Sequence, residues 1–185
     1  MLAQIGLFVL QTLTDLLAFL FLLRFYVFLT QVNLHLTHTA LSNALHGLTD
    51  WAVLPLRRVL PRVKRIDFSS LLPALLLKAA MVTVVPLFMG RFDMDIIRIA
   101  VDAVFQILLL AISGMIGLII VYALLSLFQP HSQIYVLSAK LCEPLLTPFR
   151  KFIPLIGGVD LSSLAAIMSL QILSMVVKSL HFSLA

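Results

Sequence analysis

The sequence predicts an all-α polytopic membrane protein with four transmembrane helices, and three observations lead to this fold class. The 185 residues are 62% hydrophobic and only 11% charged. Apolar runs lie at about 5–29, 66–89, 99–128 and 159–182, and each is long enough to cross the hydrocarbon core of a bilayer. Backbone polar groups in that core must be satisfied within the segment, so we expect the spans to be helices. A soluble globular domain is excluded.

The first run, 5–29, is interpreted as a retained transmembrane helix and not as a cleaved signal peptide. It starts at Met1–Leu2 without a positively charged segment before it, and no clear small-x-small cleavage site follows it. It is also longer than the apolar core of a signal peptide. We therefore count it as the first of the four spans.

A segment that is too polar or too short to span precedes the second and the fourth run. The apolar side chains that recur there at helical spacing are Leu41, Leu45, Leu48 and Ala52 in 37–54, and Ile134, Leu137, Leu141 and Leu145 in the second segment. This periodicity predicts amphipathic helices in the cytoplasmic interface, with Trp51 as an aromatic anchor. A re-entrant loop is the alternative.

A charged phrase follows each of these segments, reading PLRRVLPRVKRIDFSS at 55–70 and PFRKFIPLIGGVDLSS at 148–163. The identities at an offset of 93 positions are Pro55/Pro148, Arg57/Arg150, Pro61/Pro154, Asp67/Asp160, Ser69/Ser162, Ser70/Ser163 and Leu71/Leu164. Most of them are polar or proline, so shared hydrophobicity does not explain them. The chain is predicted to be an internal duplication of two units, 1–92 and 93–185, that share one orientation in the membrane.

The residue types of the phrase predict a turn between helices at the membrane surface. Its breaking and turning residues are Pro55, Pro61, Pro148 and Pro154, which we expect to end the incoming helices, and Gly157–Gly158, which permits a tight turn. Its adjacent cations, expected at headgroup level, are Arg57 and Arg58 in the first unit and Arg150 and Lys151 in the second. These residue types therefore predict a membrane anchor that also presents a cationic surface.

Asp67 and Asp160, each followed by an apolar residue and serine, are expected to cap the next helix. Their ten-residue distance from the preceding arginine in each phrase predicts the ion pairs Arg57–Asp67 and Arg150–Asp160. Anchoring and capping of two helices is the structural interpretation of the phrase, and recognition of a partner is the functional one.

The distribution of cations predicts the topology. Of the 13 Lys and Arg residues, five lie between the first two spans and three between the last two, but only two lie between the second and third. Since cations stay on the cytoplasmic side, both phrases should be cytoplasmic and both termini periplasmic. This basic face should attract anionic headgroups of the lipid bilayer. No nucleic-acid partner is expected, because no aromatic-interleaved basic platform accompanies the charge.

Ionisable side chains also lie within the spans, where they usually have a partner or a task. Asp15 and Lys78 lie near the middle of spans one and two and should pair. Asp102 and Lys178 lie near the outer ends of spans three and four and form a second candidate pair. A structural salt bridge between helices is one interpretation, and a proton or ion path through the bundle is the other.

The sequence indicates no cofactor, no metal and no catalytic centre. His35, His38 and His46 cluster after the first span, but zinc sites use three or four ligands with supporting contacts, and interfacial histidines are the simpler interpretation. There is no Ser/His/Asp set, paired-carboxylate cleft or glycine-rich phosphate loop, so we expect no enzymatic activity. Small residues at Ser113, Gly114 and Gly117 predict a close helix contact, within the bundle or across a homo-oligomer.

The paired phrases, each a P-x-R-[RK]-x-[LI]-P segment followed by Asp, an apolar residue, Ser and a span, resemble the YggT family of small bacterial and plastid membrane proteins. The resemblance covers nearly the whole chain. Family members typically carry an arginine near the end of the first span of each unit. Arg24 matches it in the first unit, whereas Tyr122 occupies the place in the second, and the first phrase lacks the Gly-Gly pair.

The resemblance implies a multi-pass protein of the bacterial inner membrane. Bacterial members are associated with envelope or osmotic physiology, and plastid relatives with assembly of membrane complexes, including cytochrome haem attachment. We therefore expect a non-enzymatic assembly or scaffold factor whose basic motifs contact lipid or a membrane-protein partner. The alternative is an oligomeric protein for permeation of a small ion or solute.

Overall fold

The computed structural model describes residues 2–30, 40–59, 67–88, 90, 95–129, 132–151 and 160–184. They form six α-helices: α1 (Leu2–Leu29), α2 (Ala40–Val59), α3 (Phe68–Phe88), α4 (Ile96–Phe128), α5 (Gln133–Arg150) and α6 (Leu161–Leu184). Four of them, α1, α3, α4 and α6, are long and apolar enough to cross a membrane. The predicted all-α class and the four spans are confirmed, and the described residues contain no strand.

The helices follow the same order in both halves of the chain. A span, α1 or α4, is followed by a shorter helix, α2 or α5, and then by a second span, α3 or α6. The shorter helices carry the segments predicted to be amphipathic. Leu45 and Leu141 face the bundle and are buried, but Leu48 and Ile134, predicted for the same apolar faces, are each 51% exposed. Their placement in the membrane interface stays a prediction.

Each half of the chain supplies most of one apolar core. Ala18, Phe21 and Ala74 belong to one cluster, together with Val53 of α2 and Ile107 of α4. The second cluster is formed by Ile119, Tyr122, Cys142, Leu146 and Ala166 of α4, α5 and α6. Because Val53 and Leu146 are 93 positions apart, the shorter helix contributes an equivalent residue to the core of each half.

A third cluster joins the two halves. It contains Val27 and Leu45 from the first half and Leu137 and Leu141 from the second. The hydroxyl of Tyr26 donates a hydrogen bond to the carbonyl oxygen of Leu141 at 2.7 Å, so α1 and α5 are also linked by a polar contact. The span contacts between the halves are made mainly by α4 against α3, and to a smaller extent against α1.

The prediction that Pro55 and Pro148 end the incoming helices is wrong. Pro55 lies inside α2 and Pro148 inside α5. A proline fixes φ at a helical value and removes one backbone hydrogen bond. Both effects fall on the preceding turn, whereas the residues after the proline can still form helical hydrogen bonds, so α2 continues to Val59 and α5 to Arg150. Pro61 and Pro154 lie outside the described residues.

Gly114 confirms the predicted close contact within the bundle. A Cβ atom at Gly114 would lie 2.5 Å from Cε2 of Phe19 on α1, whereas a Cβ at Gly117 would meet nothing within 4 Å. Ser113 is exposed. Glycine at position 114 therefore permits α4 to approach the Phe19 ring.

We expect Gly114→Ala to lower the free energy of unfolding by about 1–3 kcal/mol, because the new methyl group overpacks the contact. Phe19→Leu should relieve this cost, so Gly114→Ala introduced into that variant should be nearly neutral. The measurement is the fraction that stays folded after heating in detergent. Gly117→Ala is the matched control, and an equal loss from both glycine variants would contradict the assignment of the contact.

Candidate functional site

The candidate site consists of two arginine–aspartate corners, one in each half of the chain, where a shorter helix meets the second span. In the first corner, Nη2 of Arg57 lies 2.9 Å from Oδ2 of Asp67. The same oxygen accepts a hydrogen bond of 3.2 Å from the hydroxyl of Ser70 in the first turn of α3. Asp67 therefore joins the end of α2 to the beginning of α3, and the predicted ion pair is present.

In the second corner, Nη2 of Arg150 lies 2.8 Å from Oδ2 of Asp160. The backbone N–H of Ser162 donates to Oδ1 of Asp160 at 3.1 Å, and the hydroxyl of Ser163 donates to the carbonyl oxygen of Asp160 at 2.6 Å. Asp160 thus caps the N-terminus of α6, as the sequence predicts. The second predicted ion pair is also present.

Charge and hydrogen bonding stabilise the ionised forms in the second corner. Burial alone would raise the pKa of the Asp160 carboxyl, but hydrogen bonds from Ser162 and Arg150 bring it below its usual value. For Arg150, burial alone would lower the pKa, but the hydrogen bond to Asp160 and the nearby Tyr122 raise it. Both groups are therefore charged over the physiological pH range.

The two corners differ in burial. The side chain of Asp67 is 1% exposed and that of Asp160 is 13% exposed. In the first corner, Nε of Arg57 and Oδ1 of Asp67 are buried and have no hydrogen-bond partner within the described part of the chain. In the second corner, Nη2 of Arg150 also donates to the hydroxyl of Tyr122 at 2.7 Å. The first corner is thus the more buried and the less completely hydrogen-bonded.

The second cation of each phrase has a different position from the first. Arg58 and Lys151 are exposed, and within the described residues neither forms an ion pair. Each corner consequently uses one cation for an internal contact and presents the next one outward. Pro61, Pro154, Gly157 and Gly158 of the predicted motif lie outside the described residues.

Sequence reasoning did not find the partners of Arg24. This arginine is 5% exposed, and its Nη1 donates to Oδ1 of Asp50 at 2.6 Å and to the hydroxyl oxygen of Thr49 at 2.5 Å. Burial alone would raise the pKa of the Asp50 carboxyl, but the hydrogen bond from Arg24 lowers it. Two features of the sequence could have indicated this pair: Arg24 is a cation within an apolar run, and Asp50 is a carboxylate on the short helix that follows.

Arg24 and Tyr122 hold the shorter helices to the spans by different contacts. Arg24 reaches Asp50 on α2, whereas Tyr122 accepts its hydrogen bond from Arg150 at the end of α5. The junction between the first span and the shorter helix is therefore held by an arginine–aspartate pair in the first half and by a tyrosine–arginine hydrogen bond in the second. In the second half, Tyr122 makes this contact through Arg150 of the second corner.

Lys78 and Asp15 confirm the predicted pairing of spans one and two. Nζ of Lys78 lies 2.7 Å from Oδ1 of Asp15, and the exposed fractions of the two side chains are 7% and 37%. The pair connects α3 to α1, the most extensive helix contact in the first half. This ion pair links α1 and α3 within the predicted spans.

The predicted pair between Asp102 and Lys178 is wrong. Oδ1 of Asp102 lies 2.7 Å from Nε2 of His181, whose ring also stacks on Phe105 with the ring centroids 4.9 Å apart. Lys178 is exposed. His181 lies one turn further along α6, where the ring of Phe105 holds the imidazole beside Asp102. A flexible lysine can instead extend its ammonium group towards the headgroups.

Within the described residues, no group of three or more His, Cys, Asp and Glu side chains could hold a metal ion. His46 lies on α2 with Nδ1 3.7 Å from Oδ1 of Asp50, whereas His35 and His38 lie outside the described residues. A cavity of about 230 Å³ between α1, α3 and α4 is lined almost entirely by apolar side chains such as Phe19, Leu71 and Ile107.

The family model described as CCB3/YggT matches this chain in two segments, residues 3–88 and 101–181. An uncharacterized protein of Pseudomonas aeruginosa is 31% identical over 178 residues, which cover 93% of this chain and 87% of that protein. The uncharacterized protein YggT of Escherichia coli is 34% identical over 127 residues, covering 65% of this chain and 63% of the relative. No solved structure matches this chain.

Proposed function

The chain belongs to the CCB3/YggT family, and from this premise we propose that it is a non-enzymatic membrane scaffold or assembly factor in envelope or osmotic physiology. Its working surface is formed by the cations at the two corners, chiefly Arg58 and Lys151. These cations bind anionic groups at the membrane surface and so position a membrane-protein partner beside the bundle.

The division of roles within each phrase carries this proposal. Arg57 and Arg150 are each held by an aspartate at less than 3 Å, and the next residue of each phrase is an exposed cation. An anchoring turn needs only the internal pair. A second exposed cation, repeated at the equivalent position 93 residues later, adds attraction to a negatively charged surface, at about 1 kcal/mol for each cation near it.

We place both corners on the cytoplasmic side of a bacterial inner membrane and both termini on the periplasmic side. The excess of cations in the two segments that contain the corners supports this orientation. Arg98, exposed near the beginning of α4, lies at the other end of the bundle and would be periplasmic. It provides a cation of the same type on the opposite surface.

The rival function is permeation of a small ion or solute by an oligomer. The intramembrane charges motivate it, but Lys78 is already paired with Asp15 and Asp102 with His181. The cavity between α1, α3 and α4 has an apolar lining, which gives an ion no replacement for its hydration shell. The described interior therefore favours the scaffold.

The test is photo-cross-linking in native membranes, with the photoreactive residue at Arg58, Lys151 or, as the control, Arg98. We expect cross-links to one reproducible membrane protein, in addition to phosphatidylglycerol, from the first two positions and not from the third. Cross-links to lipid alone would contradict the recruitment of a protein partner and would leave the corners with only an anchoring role. Ion flux into liposomes containing the purified protein, lost in Asp15→Asn, would overturn the scaffold in favour of permeation.

A further inference from the structure

The outermost span, α6, leaves a face uncovered that its counterpart α3 buries. Within the chain α6 packs mainly against α4 and α5, whereas α3 packs against α1, α2 and α4. Leu71 and Leu75 of α3 consequently join the apolar cluster that contains Ile107 of α4. Their equivalents 93 residues later, Leu164 and Met168, are 58% and 55% exposed. Among the helices that the structure describes, none covers α6 in the way that α4 covers α3.

A polar residue lies in the middle of this uncovered face. Gln171 is the equivalent of Lys78, which is buried and bonded to Asp15. Gln171 is exposed, and its carboxamide has no hydrogen-bond partner within the described residues. The duplication thus places a polar side chain at the same position in both second spans, but the chain supplies a partner only in the first half.

The depth of Gln171 makes the missing partner costly. It lies ten residues after Leu161, the first residue of α6, which corresponds to about 15 Å along the helix axis. The hydrocarbon core is about 30 Å thick, so this carboxamide lies near its middle. Lipid chains offer it no hydrogen bond, and polar side chains at such positions drive association between helices.

The residues around Gln171 form a continuous seam along α6. The seam consists of Leu164, Met168, Gln171, Met175, Lys178 and Phe182, which are separated alternately by four and three residues and are all exposed. This spacing is the heptad pattern by which two parallel helices interdigitate. Lys178 lies about 25 Å from the beginning of α6, where its ammonium group can extend to the outer headgroups.

We propose that two copies of this chain associate through the α6 seam, with the carboxamide of Gln171 hydrogen-bonded to Gln171 of the second copy. Two copies inserted with the same topology present α6 in parallel, so identical seam positions meet across a two-fold axis along the membrane normal. A carboxamide carries both a donor and an acceptor and is therefore complementary to itself. The interface goes beyond the proposed scaffold function and does not depend on it.

Cysteine cross-linking tests the seam directly. Met168→Cys and Met175→Cys should each give disulfide-linked dimers in oxidised native membranes, whereas Leu173→Cys and Leu180→Cys, exposed on the other side of α6, should give few. The native Cys142 is a suitable background, since it is buried and burial raises the pKa of its thiol to about 12. Equal cross-linking from both pairs of positions, or from none, would overturn the proposal.

The role of Gln171 is tested by the dimer fraction of the full chain in liposomes, measured by energy transfer between labelled copies at increasing lipid dilution. Gln171→Leu should raise the dissociation constant of the dimer about tenfold, which corresponds to roughly one interhelical hydrogen bond. Gln171→Asn, which keeps a carboxamide, should retain most of the affinity. Gln11→Leu, the same change at an exposed position of α1, is the control. An unchanged dimer in Gln171→Leu, or an equal loss in Gln11→Leu, rejects this interface.

Discussion

Lys78→Met is expected to lower the free energy of unfolding in detergent by about 3 kcal/mol, the lower end of the range for removing one partner of a buried ion pair. Lys78 is almost fully covered between the helices, and its loss leaves the Asp15 carboxylate facing an apolar bundle without a counter-ion. The measurement is thermal or steric-trap unfolding of the purified protein.

A double-mutant cycle identifies the cause of this loss. Asp15→Asn should destabilise the protein as well, and the double variant Asp15→Asn with Lys78→Met should be milder than the sum of the single changes, because no unmatched charge remains. Lys140→Met is the control, since this lysine is exposed on α5 and its replacement should have little effect. Additive losses in the cycle would show that the two side chains act independently.

Arg57→Met should cost about 3–5 kcal/mol, because among the described residues it leaves the buried Asp67 carboxylate with only the hydroxyl of Ser70 as a hydrogen-bond donor. The second corner provides the comparison within the same molecule. Arg150→Met should cost only about 1 kcal/mol, since the Arg150 side chain is 42% exposed and water can replace it at Asp160. Unfolding in detergent measures both variants side by side.

The difference between the corners depends on the charge of Asp67. Asp67→Asn keeps the shape of the side chain and its acceptor oxygen, so it should reduce the cost of a subsequent Arg57→Met. If Arg57→Met and Arg150→Met were equally harmful, burial of the aspartate would not be what distinguishes the two corners. A smaller loss in the first corner than in the second would contradict the assignment outright.

Local chemistry made much of this architecture predictable. Four long apolar runs require helices, because a lipid environment leaves backbone groups no other partner. The duplicated phrase predicted both arginine–aspartate pairs, since a fixed spacing of ten residues across one turn brings the two side chains together in each half. The Asp15–Lys78 pair was predictable for a related reason: opposite charges at equal depth in adjacent spans attract strongly when lipid surrounds them.

Most side-chain contacts between distant segments could not be predicted from residue spacing or depth in the membrane. The amino-acid sequence alone predicted the fold class, the four spans, the duplication and the ion pairs that a short turn or a shared depth brings together. Only the tertiary structure showed that Asp102 meets His181 and not Lys178, that Arg24 reaches Asp50 on α2, and that Gln171 stays uncovered although Lys78 is buried. These contacts depend on how each helix is rotated about its axis and on which helix packs beside it. Rotation and packing are set by the fit of side chains across the whole bundle, and residue spacing along the sequence does not determine that fit.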